Sequence, residues 1–132
     1  MFGRAAAVAA GAVAALQSPL WLGPGKLVRL IGQPRPIGPI PATHAERAGQ
    51  AVRAAHVTLR WLSRAAFPLW RNTCLYRAVA ECLVLRRYGV PCRLELGVAH
   101  QDPRGRITAH AWVVRADDAT AVTSPPALAV LR

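Results

Sequence analysis

From residue 43 onward, apolar side chains fall at Ala45, Ala48, Val52, Ala55, Leu59, Leu62 and Ala66, spaced alternately three and four apart. That is the period of a helix with one buried face. The opposite side carries Arg47, Gln50, Arg53, Arg60 and Arg64. Thr43 with Glu46 three residues on reads as a capping box at the start, and Pro68 stops the helix. Its small alanines predict close approach to a second helix. A further helix starts at Asn72 or Thr73, either of which can cap it, and runs to about Tyr88, where Gly89 and Pro91 end it. Leu75, Val79, Cys82, Leu83 and Leu85 form its core face. The period then changes to two: residues 93–98 and 107–115 alternate as half-buried strands around a turn at 100–106. Residues 116–118 turn the chain toward a last short strand, AVT at 121–123. Helices followed by antiparallel strands make an α+β class. A length of 132 residues suits one domain, 1–132, helical over 1–71 and helix plus antiparallel strands over 72–132.

Ahead of these elements lies an Ala-rich stretch to about Leu16, then SPLWLGPGKLVRLIG, with a short helix after Pro24. No charge falls between Arg4 and Lys26. Alanine is weakly hydrophobic, and Gln17, Ser18, Pro19 and the glycines interrupt the run. It therefore reads first as a docked or membrane-brushing helix and second as a signal or anchor. Residues 33–41, with four prolines, form an extended connector.

Charge changes the picture less than its size suggests. The formal net charge is +11, and Lys26 is the one lysine among 17 basic residues. The arginines are scattered from Arg4 to Arg132 rather than gathered into a stripe with interleaved aromatics, which argues against nucleic acid. A basic surface that attracts an acidic peptide or protein explains the charge as well. Cys74, Cys82 and Cys92 show no zinc-ligand spacing. Cys74 and Cys82, eight apart on one helix, are separated by roughly 12 Å of rise, too far for a disulfide. A reducing compartment follows, and no metal or cofactor site is indicated.

Cys74 falls in the first turn of its helix, where free amides and the helix dipole favour a thiolate, with Arg71 and Arg77 nearby. That suits a nucleophile, although a small buried hydrophobe is the commoner use of a cysteine. Cys82 and Cys92 fit that commoner use. His110 sits mid-strand between Ala109 and Ala111, projecting from the same face as Trp112. A histidine satisfied in a core is again the commoner case. His44, His56 and His100 read as solvated surface, and Glu81, Glu95 and Asp102 as surface partners for arginines.

Taken together, a cysteine at a helix N-terminus and a histidine on the second following strand form a transglutaminase-type arrangement. The segments CLYRA (74–78), LRRYGVP (85–91), LGV (96–98) and AHAWV (109–113) resemble the transglutaminase-like B protein of lasso-peptide clusters. That family is the cysteine protease that removes the leader from the precursor peptide. The resemblance covers residues 72–115.

It implies that Cys74 attacks the scissile carbonyl and that His110 takes the thiol proton and returns it to the leaving amine. The acid that orients His110 would be Asp118 or Asp117, where the family usually has Asp-Gly. The Cys74 amide would serve the oxyanion hole, with Asn72 a candidate second donor. The family occurs fused to a leader-recognition domain or as a stand-alone protease. This chain reads as the stand-alone form, cytoplasmic, working with a separate leader-recognition protein on the precursor peptide and alongside the lasso cyclase. The helix from Thr43 to Ala66 and the basic surface are its candidate docking elements. Another acyl transfer, a non-catalytic leader-binding module and a nucleic-acid binder are the competing readings.

Overall fold

The computed structural model describes residues 2–31, 41–65, 69–100, 104, 107–115 and 129–131. Within them the order is α1 (Phe2–Trp21), α2 (Pro24–Ile31), α3 (Ala42–Arg64), α4 (Cys74–Arg87), β1 (Cys92–His100), β2 (Ile107–Arg115) and β3 (Ala129–Leu131). The class is α+β, as expected.

The Ala-rich segment is a helix with a buried face. Ala7, Ala10, Ala14 and Ala15 of α1 are buried, as are Ala48, Ala51, Val52 and Ala55 of α3, and α1 packs most extensively on α3. Small side chains let the two backbones approach closely. At Gly11 a Cβ would overlap the Ala51 carbonyl oxygen and meet the Ala54 Cβ and Ala55 N at 2.9 Å. No helix among the described residues is long and apolar enough to cross a membrane.

The expected end near Leu16 is corrected: α1 runs through Gln17, Ser18 and Pro19 to Trp21. Pro19 has no N–H to give the Ala15 carbonyl four residues back. That oxygen instead accepts from the Ser18 hydroxyl at 2.7 Å and from the Trp70 indole N–H at 3.2 Å. The replacement donors let the helix continue through a residue that normally breaks one.

Helix α3 buries Ala48, Val52, Ala55 and Leu59 of the predicted stripe, with Ala51 added. Its capping box does not form. The N-cap is Pro41 with no side-chain cap bond, and the Pro41 carbonyl accepts from the His44 and Ala45 amides at 2.9 and 3.2 Å. The helix therefore starts ahead of Thr43, which lies inside its first turn. Ala66, Pro68 and most of the proline-rich connector lie outside the described residues.

Helix α4 follows expectation at both ends. Thr73 is its N-cap. At the other end Gly89 takes φ 73°, its amide donates to Arg86 O at 3.1 Å, and Val90 N–H donates to Leu85 O at 2.9 Å. This is a Schellman closure, for which a residue without a Cβ is favoured. The chain turns directly into β1, which pairs antiparallel with β2 from Cys92↔Arg115 to His100↔Ile107. Strand β3 pairs with the other edge of β1, Leu96 opposite Leu131, giving the order β2-β1-β3. The expected strand at 121–123 lies outside the described residues. Leu30, Leu59, Val79, Leu85, Val90 and Leu94 centre the core shared by the helices and β1.

Candidate active site

The N-terminus of α4 and β2, at one edge of the described sheet, meet at one cleft. Cys74 is the first residue of α4 and half-buried. The Thr73 side-chain oxygen accepts from the Tyr76 amide at 3.5 Å, and the Tyr76 hydroxyl donates to Leu69 O at 2.9 Å. Side-chain bonds thus tie the segment entering the helix to its first turn. The cap leaves the thiol on a residue whose neighbouring amides have no intrahelical acceptors.

On β2, alternation divides the AHAWV segment into two faces. Ala111 is buried and Val113 packs against the core, whereas His110 is exposed and Trp112 half-buried. The His110 and Trp112 rings stack, with centroids 6.0 Å apart and planes at 24°. The partner of His110 across the ladder is Gly97, so no cross-strand side chain crowds the imidazole. As the spacing predicted, His110 and Trp112 share a face.

A cleft of about 310 Å³ collects Cys74, His110, Ala111, Trp112 and Val113 with His56, Arg77, Ala78 and Glu81. The structure therefore brings Cys74 and His110 to one cavity, with the histidine at its rim. No hydrogen bond joins their side chains among the described residues. Asp117, Asp118 and Asp102 lie outside the described residues. Asn72 is exposed beside the N-cap.

Two cleft residues correct the surface readings. His56 and Glu81 have side chains only 23% and 25% exposed, with Nε2 and Oε2 3.8 Å apart. His56 Nε2 is fully covered and has no hydrogen-bond partner among the described residues. Burial, then the guanidiniums of Arg77 and Arg60, hold the His56 imidazole below its ordinary value of 6.5, against an opposing backbone hydrogen bond at Arg77. Burial likewise pushes the Glu81 carboxyl above its ordinary value, with Arg115 and Arg77 pulling the other way. Glu81 does have an arginine partner, Arg115 Nη2 at 4.0 Å, but Glu81 itself lines the cleft. The signal was in the spacing. His56 is four residues after Val52 and three before Leu59, at the margin of the buried stripe. Glu81 is seven after Cys74 and three after Ala78.

The remaining expectations fall out simply. His44 is exposed, and the side chain of His100 is not among those described. Glu95 pairs with Arg93, Nη2 to Oε1 at 2.7 Å. Cys82 and Cys92 are buried free thiols with sulfurs 3.4 Å apart, inside the core as their positions predicted. The neighbouring Cys92 sulfur, then burial, push the Cys82 thiol far up.

A cysteine opening a capped helix and a histidine on an antiparallel strand line one cleft in an α+β frame. The family model for the transglutaminase-like superfamily matches residues 9–130, and the chain belongs to that superfamily. At that level a thiol-dependent enzyme is indicated. No curated protein and no solved structure matches the chain.

Proposed function

We infer that the protein is a cysteine peptidase that removes the leader from a lasso-peptide precursor. The observation that carries the reading is the shared cleft of Cys74 and His110, on a helix start and a strand respectively. Superfamily membership is compatible with peptidase or acyl-transfer chemistry. The CLYRA and AHAWV segments favour leader removal by resemblance alone.

In this reading His110 takes the Cys74 proton, and the thiolate adds to the scissile carbonyl. The C–N bond breaks, the leaving amine receives the proton from His110, and a thioester remains. A water molecule, deprotonated by His110, then attacks the thioester. The products are the leader carboxylate and a regenerated thiol. The Cys74 amide stabilises the oxyanion, and Asp118 or Asp117, directly after β2, orients the imidazole. His110 swings from the rim onto the thiol as substrate fills the cleft, since catalytic hydrogen bonds often tighten only in the complex.

A separate leader-recognition protein and the precursor leader are the proposed partners, with the lasso cyclase downstream. Arg53, Arg60 and Arg64, exposed on α3, suit an acidic docking surface. The deciding experiment incubates the protein and a leader-recognition partner with precursor peptide and follows products by mass spectrometry. Free leader that disappears with Cys74→Ala and His110→Ala supports the peptidase. A leader–amine adduct would mean acyl transfer, and full product formation by Cys74→Ala would mean a non-catalytic binding module.

A further inference from the structure

Glu81 belongs to neither the reacting pair nor the expected orienting acid, yet its carboxylate is held in the same cleft. From Cys74 to Glu81 is two turns along one face of α4, roughly 10 Å. From His110 to Arg115 is five residues along β2, roughly 16 Å. Cys74 and Glu81 thus share the helix, His110 and Arg115 share the strand, and Glu81 Oε1 faces Arg115 Nη2 at 4.0 Å. Strand β2 lies at one edge of the described sheet, with β1 on its other side. Toward α4 it presents the small Ala111, then Val113, then Arg115. On the far side of the carboxylate, Oε2 faces the covered and unpartnered Nε2 of His56 from α3 at 3.8 Å.

We propose that Glu81 is a positioning residue that clamps β2 to α4 through Arg115, and so sets where His110 stands relative to Cys74. This rests on the reading of Cys74 and His110 as the reacting pair. The clamp spans three elements: His56 on α3, Glu81 with Arg77 beside it on α4, and Arg115 on β2. Arg60 adds its charge on the α3 side. A half-buried carboxylate between two basic partners is a poor device for stability, because desolvation offsets much of the attraction. It is a better device for geometry, because each oxygen faces a different element: Oε1 the Arg115 guanidinium of β2 at 4.0 Å and Oε2 the His56 imidazole of α3 at 3.8 Å. Losing it lets the strand edge shift by a fraction of an ångström to an ångström, and misplacement of that size costs about ten- to a hundredfold in rate.

The test is substrate-independent: site-resolved alkylation of Cys74 by iodoacetamide in the full chain, followed against pH by mass spectrometry, with melting temperature measured in parallel. Wild type should alkylate at Cys74 faster at neutral pH than His110→Ala does. Glu81→Gln and Arg115→Met should each slow Cys74 at neutral pH by about tenfold. The double variant should be no slower than either single one, and Arg115→Lys should keep most of the rate. Glu81→Gln should melt no lower than wild type at neutral pH, because the raised Glu81 pKa makes the ionised form a cost to folding there. Wild-type profiles in Glu81→Gln and Arg115→Met would overturn the clamp while leaving the reacting pair intact. So would rate losses that add in the double variant. Identical profiles for wild type and His110→Ala would overturn the reacting pair and the clamp with it.

Discussion

Two glycines inside helices receive the same substitution with opposite expected results. At Gly49 nothing lies within 4 Å of a built Cβ, so Gly49→Ala stabilises α3 by up to about 1 kcal/mol through helix propensity. Gly11→Ala gains the same about 1 kcal/mol in α1, plus at most about 0.8 for a buried methyl. There the methyl overlaps the Ala51 carbonyl oxygen and crowds Ala54 and Ala55 at 2.9 Å. A helix backbone cannot rotate out of the way, so α1 and α3 must part by roughly 1 Å, and a gap of that size forfeits about a quarter to a half of the facing contacts. The alanines on both sides lose about 1–2 kcal/mol between them, and overpacking strain adds about 1–3 more. The net is a destabilisation of about 0.2–3 kcal/mol, a fall in Tm of roughly 1–12 °C for a chain of this size. Thermal melts by far-UV circular dichroism measure both variants. A Gly11→Ala protein that melts at or above wild type, or a Gly49→Ala protein that falls as far, would refute the close helix approach.

Thr73→Ala should cost about 0.5–1 kcal/mol by urea titration, at the low end because the cap bond is 3.5 Å, and should slow alkylation of Cys74 as the first turn frays. His56 is held below 6.5 in the fold, so below that pH the unfolded chain takes up the proton more readily. Stability therefore drops as pH falls from about 6.5 toward the lowered value, and His56→Gln should flatten this part of a Tm-against-pH curve. Arg53→Glu with Arg60→Glu should weaken binding to the leader-recognition partner by tenfold or more at low salt. Unchanged affinity by calorimetry would remove α3 as the docking face.

Where local chemistry governs, the sequence was readable. Gly89 sits where a Schellman closure needs a left-handed residue, Thr73 where a helix needs a cap, and the period-two run at 107–115 matches β2 residue for residue. What escaped depended on contacts distant in the chain. Pro19 reads as a breaker because one of its two substitute donors, Trp70, lies 51 residues later. His56 and Glu81 read as surface because each borders an apolar stripe, and what covers them comes from other elements: α4 against His56, α3 and Arg115 of β2 against Glu81. Thr43 and Glu46 match a capping box, but the carbonyl of Pro41 captured the helix start first.

The Trp70 indole donating to the Ala15 carbonyl carries one more consequence. The last turn of the N-terminal helix takes a hydrogen bond from the segment that leads into Cys74, so the two stretches do not vary independently. A chimera that grafts another protein's first helix onto this chain must either avoid a proline at position 19 or preserve that indole. One that does neither deprives the carbonyl at position 15 of the indole that stands four residues ahead of the thiol, and the mismatch would surface as lost activity rather than a lost helix.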